Sequence, residues 1–247
     1  MDPAEVISGF DWAAAAPADR PYIALNMVST ADGKAAVAGR TRAISTDTDR
    51  SLFHNLRTQV DAVMAGAGTV GTERYGRIVK TDELRAKRER EGLAPDPLAI
   101  IVSGGLSVRP DVPLLQDPES RVAILTQSRG ELSGVTAQVE YLRAEAGPFD
   151  LRPLLERLRV EHGIRSILCE GGPTLNESLL LYGLADELFL TCAPVLAGGA
   201  NALTIVAGQP LPELVPVELV WVLEEDSELF LRYKIGARTA APVPGAG

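Results

Sequence analysis

Residues 166–196 read SILCEGGPTLNESLLLYGLADELFLTCAPVL, and they spell strand, turn, helix, strand. SILCE (166–170) is a short apolar run. Two glycines follow, and Pro173 stands at the first turn of a helix running to Leu181, where a missing N–H costs nothing. ELFLTCAPVL (187–196) is a second apolar, β-rich run. Alternation of strand, helix and strand implies an α/β fold with a mostly parallel sheet.

Upstream the same alternation repeats. Asp150 is placed to cap a helix with Leu151, Leu154, Leu155 and Leu158 on one face and Gly163 at its end. PLAIIVS (97–103) and RVAILT (121–126) are continuous apolar runs, the kind buried on both faces. VEYL (139–142), DAVMAG (61–66) and PYIALNMV (21–28) add three more strands. Between the last two, the spacing predicts a helix over 44–58. Ser45 or Thr46 can cap it, Asp47 and Asp49 suit its first turn, and Leu52, Phe53 and Leu56 share a face. TDELRAKRERE (81–91) is a charged helix or loop ended by Gly92. Downstream, VELVWVL (217–223) and LFLRYKI (229–235) flank the acidic turn EEDSE, which predicts a hairpin. The expected fold is α/β, a mostly parallel central sheet flanked by helices with a C-terminal antiparallel hairpin. Residues 1–20 are expected as a loosely ordered lead-in, docked through Phe10 and Trp12. Residues 21–236 form one domain, and the Ala/Pro/Gly-rich 237–247 a flexible tail.

Composition narrows the function. The 247 residues are 46% apolar, enough for a substantial core. A net charge of −9 is the wrong sign for general nucleic-acid binding, which needs clustered Lys and Arg. The two cysteines, Cys169 and Cys192, lie in apolar strands and read as buried small hydrophobes, which suits a reducing cytoplasm. No apolar stretch is long enough to span a bilayer, and no basic region precedes the early Ala run as in a secretory signal. His54 and His162, the only histidines, lie on expected helices. No metal site, G-x-S-x-G elbow or Walker lysine is present.

Three segments can carry chemistry. GAGTVG (66–71) follows a buried strand and matches G-x-G-x-x-G through Gly66, Gly68 and Gly71. A Rossmann domain needs an acidic residue at the end of the next strand, and here that distance falls in a charged run. The standard dinucleotide fold is therefore rejected. A glycine turn approaching phosphate or nicotinamide survives, beside a tight turn with no ligand. EGGPTL (170–175) sets a helix N-terminus behind two glycines, an arrangement suited to an anion, or a simple loop. Glu170 beside such a site suits a substrate or ribose hydroxyl. STADGKAAVAGRTRAIST (29–46) is a hydroxyl- and base-rich segment with an Asp32-Gly33 turn signal, equally readable as a solvated loop.

In their order, NMVSTADGKAA, AISTDTDRSLFHNLRTQVDAVMAGAGTV, AIIVS and ILCEGGPTLNESLLLYGLADELFLTCAPVLAGG resemble the reductase domain of the bifunctional riboflavin-biosynthesis deaminase/reductase, over about residues 20–236. The resemblance implies a dihydrofolate-reductase-like fold, NADPH, and hydride transfer to the sugar carbon C1′ of a phosphoribosylamino-pyrimidine. It also implies a homodimer. By motif, Gly66, Ala67, Gly68, Thr69 and Val70 would line the cofactor, and Gly171, Gly172, Pro173 and Thr174 would hold its pyrophosphate. Ser103, helped by Arg129, would lie near the adenosine 2′-phosphate. Asp32, Ser45, Arg57 and Glu170 would face the substrate, Arg57 taking its phosphate and Asp32 or Glu170 relaying a proton. Two positions depart from the family. GTERYGR (71–77) replaces an acidic pair and proline, leaving Glu73 as the acidic equivalent, and Ala43 replaces an aromatic. The deaminase signatures P-C-x-x-C and H-x-E are absent, so a stand-alone reductase is expected. Two alternatives stay open: an NADPH-dependent dihydrofolate or pterin reductase, and a non-catalytic NADPH-binding sensor.

Overall fold

A computed structural model describes residues 11–200 and 202–236. The expected docking through Phe10 and the expected tail lie outside these residues. Contacts divide the chain into two compact units. One holds Ile23–Leu56 with the described residues from Cys169 onward, the other Asp11–Tyr22 with Arg57–Leu168.

The unit containing Arg57–Leu168 is built on parallel strands. Its elements are β2 (Ala62–Gly66), α2 (Ala67–Thr72), α3 (Asp82–Arg90), β3 (Leu98–Val102), α4 (Pro113–Gln116), β4 (Arg121–Thr126), β5 (Gln138–Arg143), α5 (Arg152–Glu161) and β6 (Ser166–Cys169). The strand order is β5-β4-β3-β2-β6. β2 pairs with β3, β3 with β4 and β4 with β5, all in parallel. β3 and β4 are buried almost end to end, as continuous apolar runs require when both faces are covered. Leu154, Leu155 and Leu158 of α5 are buried, each contributing about 2 kcal/mol. The N-cap position of α5 is Leu151, one residue later than expected. Asp150 still serves the helix end, accepting the Arg152 N–H at 3.0 Å. Gly163 ends the helix at φ +67°, where a side chain would be strained.

The run 81–91 is a helix capped by Thr81, which accepts the Leu84 N–H. Its surprise is Arg88, fully buried in so charged a segment. The Arg88 guanidinium donates to the carbonyls of Ala94, Arg57 and Val60 at 2.7–2.8 Å. It thereby satisfies backbone acceptors that would otherwise be stranded beneath α3.

The other unit carries β1 (Tyr22–Thr30, from Ile23), α1 (Asp47–Arg57, to Leu56), α6 (Pro173–Leu181), β7 (Glu187–Ala193), β8 (Val217–Glu225) and β9 (Glu228–Ile235). Its strand order is β1-β7-β9-β8. β1 and β7 are parallel, and β7–β9 and β9–β8 are antiparallel. The hairpin turns through Asp226 and Ser227, both at positive φ, the backbone that matches strand twist in a two-residue loop. β7 alternates buried and half-buried residues, whereas β8 is exposed along most of its length. Among the described residues, no helix is long and apolar enough to cross a membrane.

Candidate active site

Each unit carries part of the expected site. In the β1–β7 unit, Glu170 is buried and the Gly171–Gly172 bond is cis. Gly171 sits at φ +81°, and a Cβ there would lie 3.3 Å from the Met27 Sδ. Only glycine fits both demands. Gly172 is the extended N-cap of α6 with no side chain capping it, and Pro173 brings no N–H. The helix thus presents the backbone N–H groups of its first turn, with Thr174 exposed, to whatever lies ahead of it.

Asn176 was not anticipated. Its amide donates to the Ile205 carbonyl at 2.8 Å and to the Met27 sulfur at 3.1 Å, and the Cys169 thiol donates to it at 3.8 Å. The signal for it in the sequence was a lone amide on the apolar side of a short helix. The strap of residues 203–207 is bound elsewhere too: the Ala207 N–H donates to the Pro173 carbonyl, and the Ala35 N–H to the Leu203 carbonyl. Cys169 is buried and its thiol is pushed up to about 12 by that burial, which makes it no nucleophile. Cys192 is only half-buried, and both cysteines are free.

Asp32 occupies the predicted turn, with Gly33 at φ +80°. Its carboxylate accepts the Thr30 hydroxyl at 2.5 Å and the backbone N–H groups of Ala197 and Gly198 at 3.0 and 2.7 Å. These bonds, the Thr30 one first, hold its pKa down to about 2. Asp32 is therefore an anion at any physiological pH, and it pins the turn to the loop after β7. Ser45 lies just before α1 and donates to the Asp49 carboxylate at 2.6 Å. Thr46, not Ser45, caps the helix, accepting the Asp49 N–H at 3.1 Å.

In the Arg57–Leu168 unit, β2 ends at Gly66, the extended N-cap of α2, again without a capping side chain. The sequence marks α2 only as a turn, because six residues are too few for periodicity to declare a helix. Ala67 and Thr69 are half-buried, Gly68 exposed, and Val70 buried as the anchor. A Cβ at Gly68 would meet nothing within 4 Å, so no neighbour in the protein requires glycine there. Glu73 is half-exposed at the C-cap of α2, its N–H donating to the Thr69 carbonyl. Arg57 is buried. Its guanidinium donates to the Ile78 carbonyl at 2.9 Å and stacks over Tyr75, so it braces the 71–78 loop.

Ser103 is buried at the end of β3, where its hydroxyl accepts the Ser107 N–H at 2.8 Å. Thr126, at the end of β4, donates its hydroxyl to the Gly104 carbonyl and accepts the Ser128 N–H. The two loops are thus tied together beside exposed Ser107 and Arg129. Hydroxyls and a guanidinium on tied loops at parallel-strand carboxyl ends suit a phosphate. Among the described residues, no cluster of His, Cys, Asp and Glu could hold a metal.

The model of the family described as the RibD C-terminal domain matches residues 21–229. The chain is 34% identical over 199 residues to the 2,5-diamino-6-ribosylamino-4(3H)-pyrimidinone 5′-phosphate reductase of Methanothermobacter thermautotrophicus, covering 79% of this chain and 88% of that one. It is 31% identical over 220 residues to the protein of the same name from Archaeoglobus fulgidus, covering 87% of this chain and 99% of the other. A solved pyrimidine reductase-like protein from Corynebacterium diphtheriae shares the fold, with a TM-score of 0.79 at 21% identity over 96% of this chain and all of that one.

Proposed function

The chain belongs to the RibD C-terminal domain family, and from that membership we propose that it reduces a ribosylamino-pyrimidine 5′-phosphate in riboflavin biosynthesis. The observation that carries this reading is the match, over most of both chains, to two relatives named for that reaction. Their names favour the pyrimidine over dihydrofolate, and an enzyme over a sensor. The substrate is the 2,5-diamino-pyrimidinone form that those names give, or the 5-amino-uracil form. The product carries an open ribityl chain.

The cofactor is a nicotinamide nucleotide, and NADPH is the form proposed. The residues present fit it. Gly68 has open space around it, and the helix starts at Gly66 and at Gly172 carry no capping side chain, so each leaves backbone N–H donors for a phosphate. Gly66–Val70 line the nicotinamide side and Gly171–Thr174 the phosphates. The tied loops of Ser103 and Arg129 favour a 2′-phosphate. The bound nicotinamide supplies the hydride that C1′ accepts.

The protein's own share is positioning and one proton. As the C1′–O bond of the sugar opens, its oxygen needs a proton. Asp32, held as an anion, does not donate one; it keeps the turn in place and presents negative charge. Glu170 is the proposed relay, through water. Ser45, Arg57 and Glu73 contact the sugar, its phosphate and the ribose hydroxyls. A homodimer is proposed from β8, whose Leu219, Val220 and Val222 are 43–50% exposed on a sheet edge, an arrangement a monomer rarely leaves open. The single domain spanning 21–236 is the proposed working unit, and the cytoplasm its proposed location.

The test is NADPH oxidation with the diamino-pyrimidinone, the amino-uracil and dihydrofolate as acceptors. Turnover of either pyrimidine alone supports the reading. Turnover of dihydrofolate alone overturns it.

A further inference from the structure

The C-terminal hairpin places a carboxyl group where the reaction scheme above has no use for it. Glu228, the first residue of β9, is 2% exposed. Its Oε2 accepts the Thr46 hydroxyl at 2.5 Å, and its Oε1 is buried with no hydrogen-bond partner. Glu225 faces it across the hairpin, two carboxyls in directly paired positions. Burial, Asp49 and Glu225 push the Glu228 carboxyl up, against the Thr46 bond. Such an arrangement is costly in a β-hairpin that needs only a turn.

What Glu228 does follows from the direction of each hydrogen bond. By accepting the Thr46 proton, it turns the lone pairs of that hydroxyl toward the Asp49 N–H, which Thr46 accepts at 3.1 Å. Asp49, so fixed in the first turn of α1, takes the hydroxyl protons of Ser45, at 2.6 Å, and of Thr191 on β7. Asp49 is itself buried. The Ser45 proton is thereby spent inside the protein. Its Oγ has only lone pairs left for anything outside.

We propose that Glu228 is a positioning residue: through Thr46 and Asp49 it fixes Ser45 as a hydrogen-bond acceptor, so that Ser45 recognises an N–H or O–H donor of the substrate and not a carbonyl or phosphate oxygen. The proposal rests on the reading that Ser45 faces the substrate. A protonated Glu228 and a glutamine present the same carbonyl oxygen to Thr46, so the function needs the oxygen rather than the charge.

The experiment is steady-state kinetics of the full chain with the ribosylamino-pyrimidine phosphate. E228A should raise the substrate KM about tenfold, the worth of one well-made hydrogen bond, with kcat and the NADPH KM little changed. E228Q should restore most of that loss. S45A should raise the substrate KM similarly, and S45A/E228A should be no worse than S45A alone, because one interaction is being removed twice. If E228A does not fold, Thr46→Ala breaks the same link and Thr46→Ser restores it. S45A with a raised KM beside a wild-type KM in E228A, or additive losses in the double variant, overturns the role of Glu228 alone. An unchanged KM in S45A removes Ser45 from the site and overturns the proposal together with that part of the functional reading.

Discussion

The Arg57 guanidinium lies 5.6 Å from the centre of the Tyr75 ring and donates to the Ile78 carbonyl from a nearly closed site. A residue expected to grip a substrate phosphate is thus also the brace of the 71–78 loop. Arg57→Ala should cost about 2–3 kcal/mol of stability, since it strands a buried carbonyl. It should also raise the KM for a phosphorylated substrate more than that for NADPH. Arg57→Lys keeps the charge but loses the planar contact, and should recover part of the KM and little of the stability. A lowered melting temperature with an unchanged substrate KM would make Arg57 a brace only.

Arg88 has no carboxylate within ion-pairing distance among its hydrogen-bond partners; it holds three carbonyls instead. Arg88→Ala leaves all three unsatisfied and opens a cavity, so a loss of about 3 kcal/mol is expected in urea unfolding. Arg88→Lys reaches fewer of them and should fall between. A variant within 0.5 kcal/mol of wild type, roughly the scatter of a surface change, would contradict this account.

The acid limb tests Asp32. Its folded pKa of about 2 lies below the ordinary 3.8, so the anion stabilises the fold above pH 3.8, and that contribution is lost as pH falls through 2. Asp32→Asn should flatten the fall in melting temperature between pH 4 and 2. The kcat/KM profile of the wild type should show no ionisation of Asp32 between about pH 5 and 8. A group titrating there and vanishing in Asp32→Asn would return Asp32 to the role of proton donor.

Two glycines should behave differently. Gly171→Ala meets a positive φ and the Met27 sulfur together, and should destabilise by about 1–3 kcal/mol. Gly68→Ala lies in a helix with open space around it, and should leave stability unchanged or raise it by up to about 1 kcal/mol. If a ligand fills that space, the NADPH dissociation constant of Gly68→Ala rises at least about tenfold while the melting temperature holds. Unaltered affinity would take Gly68 out of the cofactor site.

The edge of the sheet tests assembly. Leu219→Asp on β8 places charge on an exposed apolar strand. In sedimentation, wild-type chain should run as a dimer and the variant as a monomer. A monomeric wild type at micromolar concentration would discard the homodimer.

The strands and long helices were legible because their apolar periods are long enough to count: β3, β4 and α6 stand within a residue of their expected bounds. α2 and α4 were not, because four to six residues carry no period. Of the expected site, the strand ends at Gly66 and Glu170 could be read from the glycines that follow an apolar run. The fate of side chains could not. A buried Arg57 and the anionic lock on Asp32 depend on the Ile78 and Gly198 backbones, far away in sequence, and Asn176 on a strap nearly 30 residues on.

That strap ties down two things at once. Residues 203–207 fasten the stretch after Asp32, through Ala35, and the head of α6, through Pro173 and Asn176. With the proposed roles, a lineage drifting toward a new sugar or base would change the first, and one drifting toward another nucleotide the second. Because one short segment is stitched to both, an insertion or deletion within it would disturb the two together. Divergence in this half of the enzyme should therefore proceed by substitution, with strap length held constant while its side chains vary.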